Sequence, residues 1–106
     1  MISEVITVEP SDVASLEPRV AEALSAELTP DLYGPNSHLR TPDGGRLYLR
    51  KSGDAVVIGL ASDLAEAEHN GWAADVFGTL CVITPGDIQM FDEDDNVVRS
   101  RHTAAA

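Results

Sequence analysis

The stretch from Arg46 to Leu60 constrains the fold more than any other part of the sequence. Its two halves are rich in β-forming residues, and the tight-turn sequence Ser52-Gly53-Asp54 lies between them. This pattern predicts a β-hairpin, in which Arg46–Lys51 is one strand and Ala55–Leu60 is its partner. A hairpin in the middle of the chain favours an antiparallel sheet.

Other β-forming runs predict further strands of that sheet, at Ile2–Val8, Thr79–Thr84, Asp87–Phe91 and Val97–Arg101. The turn signal Pro85-Gly86 and the polar residues 92–96 join the last three of them as hairpins. Three hairpin links predict an α+β fold: a mainly antiparallel sheet of five to six strands, with one long and one short helix on one face. The 106 residues suffice for a single domain, predicted over residues 1–101, with residues 102–106 as a flexible C-terminal tail.

An apolar stripe predicts the longer helix, because its members recur every three to four residues: Val13, Leu16, Val20, Leu24 and Leu28. Ser11 or Asp12 is the predicted N-cap. Pro18 is compatible with a helix only in its first turn, so the regular helix is predicted from about Leu16 to Leu28.

The shorter helix is predicted after a cap at Ser62 or Asp63, and it runs no further than Phe77. Trp72 is either an anchor in the core or an exposed residue at the centre of an interface. Cys81 is predicted within the apolar strand that follows, as a buried and inert thiol.

Residues 29–45 contain three prolines and three glycines, and they predict a loop of some seventeen residues that Tyr33 and Leu39 attach to the core. The predicted core packs the long helix against the sheet. Its expected members are Leu16, Val20, Leu24, Leu47, Leu49, Ile58, Leu80 and Val82.

Charge is distributed unevenly along the chain, whose 7 Lys and Arg against 18 Asp and Glu give a net charge of −11. Residues 46–51 carry three basic residues and no acid, whereas residues 52–98 carry ten acids and no Lys or Arg. The basic residues are therefore concentrated on two predicted strands within an acidic protein.

Strand periodicity puts Arg46, Tyr48 and Arg50 on one face of their strand, and Arg99 and Arg101 on one face of the last strand. A basic stripe results if the two faces lie on the same side of the sheet. It is either a contact surface for a partner with acidic groups or a set of internal counter-ions for the excess carboxylates. The predicted partner-binding residues are Arg46, Tyr48, Arg50, Tyr33, Arg99 and Arg101.

The sequence contains no motif for metal, cofactor or catalytic chemistry. The acidic residues 92–95 suggest a calcium loop, but Val97 stands where an EF-hand needs Gly and Thr103 where it needs Glu. The three His residues lack ligand spacing, and no nucleotide-binding glycine motif or nucleophile elbow occurs. We therefore predict no metal, no cofactor and no enzymatic activity.

Composition also limits the kinds of partner and the cellular compartment that we predict. The acidic balance argues against nucleic acid, because phosphate binding depends on Lys and Arg. No apolar run approaches the roughly 20 residues of a membrane span, so no membrane association is predicted. The N-terminal residues show no signal peptide, and the expected compartment is the cytoplasm.

These observations leave three functional hypotheses, and a small enzyme is the least supported of them because no catalytic motif occurs. The first is a small non-catalytic protein–protein interaction or assembly protein, such as an adaptor or a subunit of a virion or secretion assembly, in a phage or bacterial setting. Its partner is a protein, either a different one or a second copy of itself. The alternative is an acidic inhibitor of a basic-site enzyme, such as an immunity protein, an antitoxin or a DNA mimic.

Overall fold

The structure is a computed structural model that describes residues 2–34 and 36–102. Within those residues the chain forms two helices and seven strands, which are β1 (Ile2–Glu9), α1 (Val13–Leu24), β2 (Glu27–Pro30), β3 (Ser37–Arg40), β4 (Arg46–Ser52), β5 (Ala55–Ser62), α2 (Glu66–Ile83), β6 (Asp87–Phe91) and β7 (Val97–Arg101). The predicted α+β class is confirmed, although the strand count exceeds the predicted five to six. Of the predicted tail, residues 103–106 lie outside the described residues.

The described strands form one sheet in the order β2-β3-β4-β5-β1-β6-β7, and every neighbouring pair is antiparallel. β1 is inserted between β5 and β6, where Ile6 pairs with Ile58 on one side and Met90 on the other. Because successive side chains alternate, these buried residues share one face. We call it the helix face, since α1 and α2 pack on it; no element of the described chain covers the opposite, open face.

The core lies between the helix face and the two helices of the described chain. Five of the predicted core residues are buried there: Leu16, Val20, Leu47, Ile58 and Leu80. Leu24 and Leu49 are partly buried and pack against the same cluster. Val82 departs from the prediction, because it is 85% exposed on the outer side of α2.

Trp72 is a core residue with 6% exposure, which decides between the two predicted roles. Its ring packs directly against the backbone of Gly45. A Cβ atom at position 45 would lie 2.1 Å from the Cζ2 atom of the indole, so the residue before β4 has no room for a side chain. Glycine is required here by close approach.

α1 begins and ends earlier than predicted. The Asp12 side chain accepts a hydrogen bond of 2.9 Å from the backbone N–H of Ser15, which caps the helix and lowers the pKa of that carboxyl. Ser25 adopts the left-handed conformation with φ of 52° and ends the helix, so Leu28 lies in β2. Pro18 consequently sits inside the helix, and its predicted first-turn position is wrong.

α2 is longer than predicted, and the predicted strand Thr79–Thr84 is wrong because the helix continues through it. Trp72, Val76 and Leu80 are four residues apart and keep one stripe of the helix buried. This packing outweighs the β propensity of the last turns. Gly71 lies within α2 and does not interrupt it. Neither α1 nor α2 is long and apolar enough to cross a bilayer.

The predicted loop at residues 29–45 contains β3 and the end of β2, and these two strands form a hairpin at one edge of the sheet. Each strand has four residues and β2 ends in Pro30, so turn-forming residues dominate the local pattern and conceal the strands. Leu39 is buried, as predicted. Tyr33 is 85% exposed, so its predicted attachment to the core is wrong.

Candidate functional site

β4 supplies the centre of the candidate site. Its side chains alternate as predicted, with Leu47 buried on the helix face and Arg46, Tyr48 and Arg50 on the open face. On the neighbouring strand, Gly59 of β5 is the residue paired with Tyr48. Because glycine has no side chain, nothing projects from β5 beside the Tyr48 ring.

β3 adds to this surface. It pairs with β4, so its side chains point alternately to the same two faces of the sheet as those of β4. Side chains of both strands and of the connection between β2 and β3 enclose a depression of about 460 Å³. We call it the basic groove, and its principal residues are Leu32, Tyr33, His38, Arg40, Arg46 and Tyr48. Of the predicted partner-binding residues, the structure thus brings Tyr33, Arg46 and Tyr48 together, with Arg50 further along the same strand.

His38 is held in a fixed orientation in the wall of the basic groove. Its Nδ1–H donates to Oδ1 of Asp31 at 2.6 Å. Its ring also lies against Tyr48, with the ring centroids 5.2 Å apart and an interplanar angle of 34°. These contacts give the groove a rigid aromatic side.

The arginines of the groove are close to one another. Arg40 and Arg46 lie directly opposite on β3 and β4, an arrangement in which like charges destabilise a sheet. Asp63 offsets one of them, since its Oδ2 lies 3.6 Å from Nη2 of Arg46. No carboxylate of the described residues forms an ion pair with Arg40 or Arg50. On its other side, Arg40 lies directly opposite Glu27 of β2. The arginines of this region therefore have acidic neighbours on β2 and at Asp63, and Asp31 also lines the groove.

Beyond Tyr48, the open face continues as a shallow trough of about 530 Å³. Its floor consists of small side chains and backbone of β1 and β5, at Ser3, Val5, Gly59 and Ala61. On its far side the trough is bordered by the connection between β6 and β7, whose four acidic residues 92–95 we call the acidic tip. The trough thus separates the arginines of β3 and β4 from the acidic tip.

Hydrogen bonds organise the acidic tip. Oδ1 of Asp92 accepts from the backbone N–H groups of Asp94 at 2.9 Å and of Asn96 at 3.0 Å. The bond from Asn96 is the main reason that the pKa of Asp92 is lowered. Glu93 attaches the tip to β1, because its Oε1 accepts from the N–H of Ser3 at 3.0 Å. Within residues 2–34 and 36–102, no group of three or more His, Cys, Asp or Glu is placed to hold a metal ion.

Arg99 and Arg101 lie apart from the basic groove. They pair with Met90 and Ile88 of β6, whose side chains are buried on the helix face. β7 is also four positions from β4 in the sheet. The two arginine pairs therefore lie on opposite faces and do not form the single stripe that the sequence left open.

Arg101 is bound within the protein. Its guanidinium donates to the carbonyl oxygens of Cys81, Thr84 and Gly86 at 2.6, 2.7 and 2.8 Å. These carbonyls lie at the C-terminal end of α2, which has no basic residue in its own last turn. A cation at this end also complements the helix dipole. Arg101 therefore holds the end of α2. Cys81 lies in this helix, so the strand position predicted for it is wrong.

A buried polar chain on the helix face has the order of groups found in a hydrolase triad. Oγ of Ser62 lies 2.6 Å from Nδ1 of His69, and Nε2 of His69 lies 2.5 Å from Oε1 of Glu4. The carboxylate only accepts, so Nε2–H donates to it and Nδ1 accepts from the hydroxyl. Ser62 and His69 are both 0% exposed, and no substrate can reach that hydroxyl. These three hydrogen-bonded side chains join β1, β5 and α2.

His38, Arg40 and Leu32 are groove residues that the sequence analysis missed. The available signal was the alternation from Ser37 to Arg40, in which Leu39 points inward and its polar neighbours outward. Four residues give only two periods of such a pattern, and the surrounding turn residues outweigh it.

Comparisons with protein-family models, with curated proteins and with solved structures find no match for the chain. The fold and the site define a small α+β protein whose uncovered sheet face carries arginines on β3 and β4 and is bordered by the acidic tip.

Proposed function

We propose that the protein is a non-catalytic interaction or assembly protein that binds an acidic segment of a protein partner in the basic groove. The observation that carries the proposal is that two arginines of the groove lie beside two exposed apolar side chains. Leu32 and Tyr33 are 86% and 85% exposed, and they lie next to Arg40 and Arg46. Apolar and cationic groups therefore adjoin on one concave surface.

The chemistry of these groups fits an acidic peptide. A guanidinium binds a carboxylate with two parallel hydrogen bonds, which supplies both affinity and orientation. Tyr and Arg are also enriched among the residues that contribute most to protein interfaces. Leu32 and Tyr33 would cover apolar side chains of the same segment. We further propose the cytoplasm as the compartment, where the free thiol of Cys81 stays reduced.

Site-specific crosslinking tests this proposal. A photo-crosslinking amino acid at position 33 would be compared in the native host with the same amino acid at position 82. Both sites are 85% exposed, but Val82 lies on the outer side of α2, away from the groove. We expect a discrete protein adduct from position 33 and none from position 82. Equal adducts from both sites, or none from position 33, would refute binding in the groove.

The acidic tip supports the alternative function, an inhibitor that occupies the basic site of an enzyme. Its carboxylates project from one end of the sheet, and long-range attraction would steer them to a basic target. Placing the crosslinker at Asp94 distinguishes the two functions. An inhibitor would give adducts with a basic protein at position 94 and none at position 33, and its binding would weaken steeply as salt increases.

A further inference from the structure

We propose that His38 is a positioning residue of the basic groove, and that its hydrogen bond to Asp31 holds the exposed side chains of Leu32 and Tyr33 at the border of the groove. We call these two apolar residues the apolar lip. The inference rests on the proposed function and deepens it, because it names what fixes the surface that a partner segment would contact. It depends on how the connection between β2 and β3 is attached to the sheet.

Burial does not hold the apolar lip in place. Leu32 and Tyr33 are almost fully exposed. The next residue, Gly34, adopts a left-handed φ of 86°, and a Cβ atom built there would meet no atom beyond its chain neighbours within 4 Å. Segments with so few packing contacts are the parts of a fold that open most easily. The contacts that fix the lip must therefore lie at the two ends of the connection.

Two hydrogen bonds close the connection on either side of the lip. The backbone N–H of Asp31 donates to the carbonyl oxygen of Asn36 at 2.9 Å. The Oδ1 atom of Asp31 accepts from Nδ1–H of His38 at 2.6 Å, which ties the connection to a side chain of the sheet. Asp31 makes both bonds and directly precedes Leu32, so its position sets where the lip begins.

His38 is a firm anchor for this bond. Its side chain is only 10% exposed, and its backbone pairs with Thr29 of β2. Its ring also contacts the ring of Tyr48 on β4. The backbone pairs of β3 and β4 stop one position before His38 and Tyr48, so the ring contact continues the attachment of the two strands towards the lip. The imidazole is thus held from both neighbouring strands.

The bond between Asp31 and His38 affects binding in two ways. A hydrogen bond to a carboxylate is stronger than one between neutral groups, so it can order the short connection. A lip that is ordered before the partner arrives lowers the entropy cost of binding. The bond also engages a carboxylate that lines the groove, and without His38 this carboxylate would meet an acidic segment with one donor fewer. Loss of the bond should therefore weaken binding without unfolding the protein.

Variants at both ends of the hydrogen bond test this role in the full chain. His38→Leu removes the donor, whereas His38→Asn keeps an N–H group close to the place of Nδ1. Asp31→Ala removes the acceptor, whereas Asp31→Asn keeps a carbonyl oxygen close to the place of Oδ1. NMR relaxation of the backbone amides measures the order parameters of Leu32 and Tyr33 in each variant, and circular dichroism checks the fold.

We expect order parameters of about 0.85 at the lip in the wild type and both Asn variants, and values below about 0.6 in His38→Leu and Asp31→Ala. The double variant His38→Leu with Asp31→Ala should be no more mobile than either single variant, because both remove the same bond. Asp31 lies outside the strands, so Asp31→Ala keeps the test decisive if His38→Leu unfolds. A mobile lip in the wild type or in His38→Asn, or an ordered lip in Asp31→Ala, would overturn the positioning role.

Crosslinking from position 33 then relates the order of the lip to binding. We expect the yield of the protein adduct to fall about tenfold or more in His38→Leu, as the loss of one hydrogen bond to a charged group implies, and to return in His38→Asn. The two proposals can fail separately. No adduct from the wild type, with order parameters as expected, would remove the proposed function and keep His38 as the residue that positions the lip. An unchanged adduct in His38→Leu would keep the groove as a docking site and remove the role of His38.

Discussion

The helix face and the open face belong to the same strands, but they use polar side chains in opposite ways. On the helix face, His69 lies between Ser62 and Glu4, and Arg101 binds three carbonyl oxygens of the chain. On the open face, Arg40 and Arg50 form no ion pair with any described residue. The difference teaches that the helices engage the polar side chains they cover, whereas Arg40 and Arg50 stand on the side that no described element covers.

The two arginine pairs make this contrast specific. β4 carries two arginines four residues apart and β7 carries two that are two residues apart, so in each strand both arginines share a face. The two strands differ in what lies over their arginines. Arg101 reaches the C-terminal end of α2, whose last turn has no basic residue of its own, whereas Arg50 lies on the open face. Arg19 of α1 assists from another direction, by donating to the carbonyl of Ile83 at 3.0 Å. The last turn of α2 is thus held by cations distant in sequence.

The largest expected effect is the loss of the buried polar chain. His69→Ala would leave the Glu4 carboxylate and the Ser62 hydroxyl without their shared partner. Each buried polar group that loses its hydrogen-bond partner costs about 1–3 kcal/mol, and more when it is charged, as a carboxylate is. Equilibrium denaturation would measure the free energy of unfolding. His38→Ala is the matched variant on the open face, since it also removes a histidine bound to a carboxylate, and it should cost about 1 kcal/mol. Equal losses would abolish the distinction between the faces.

Arg101→Ala should give the next largest loss. It leaves the carbonyls at the end of α2 without their donor, and an unsatisfied buried acceptor costs about 1–3 kcal/mol. For a domain of this size, that corresponds to a melting temperature lower by roughly 5–20 °C. Arg99→Ala, two residues earlier on the same strand and exposed, should melt close to the wild type. Similar melting of the two variants would show that Arg101 does not hold the helix.

The smallest effect on stability is expected from Arg46→Ser combined with Arg50→Ser. The Arg46–Asp63 contact is partly exposed, with side-chain exposures of 28% and 77%, and ion pairs near the surface contribute about 0–1 kcal/mol. Thermal melting should therefore change little, while binding through the groove is lost. If the variant unfolds readily and binds normally, these arginines are internal counter-ions and the acidic tip becomes the better candidate surface.

Much of the fold could be predicted locally. The hairpin of β4 and β5 has a turn sequence and two β-forming runs, so its strands and the alternation along β4 follow from residues close in sequence. The last turns of α2 could not be predicted in this way. Their β-branched residues favour a strand, and only packing of Trp72, Val76 and Leu80 against the sheet makes them helical.

The candidate site was predictable in part for the same reason. Arg46, Tyr48 and Arg50 share a face by strand periodicity alone. His38 and Arg40 join them only because β3 pairs with β4, and Arg99 and Arg101 are separated from them only by the strand order. No local pattern specifies which strands become neighbours.

The sequence by itself determined the α+β class, the excess of acidic residues and the alternation along each clear strand, because these depend on composition and on neighbours in the chain. The tertiary structure alone decided which face α1 and α2 cover, and therefore which arginines are used internally and which remain exposed. The physical reason is that burial is a property of the assembled sheet. Whether a side chain on one face of a strand binds within the protein or stays exposed depends on what packs over that face. That packing brings together residues far apart in sequence.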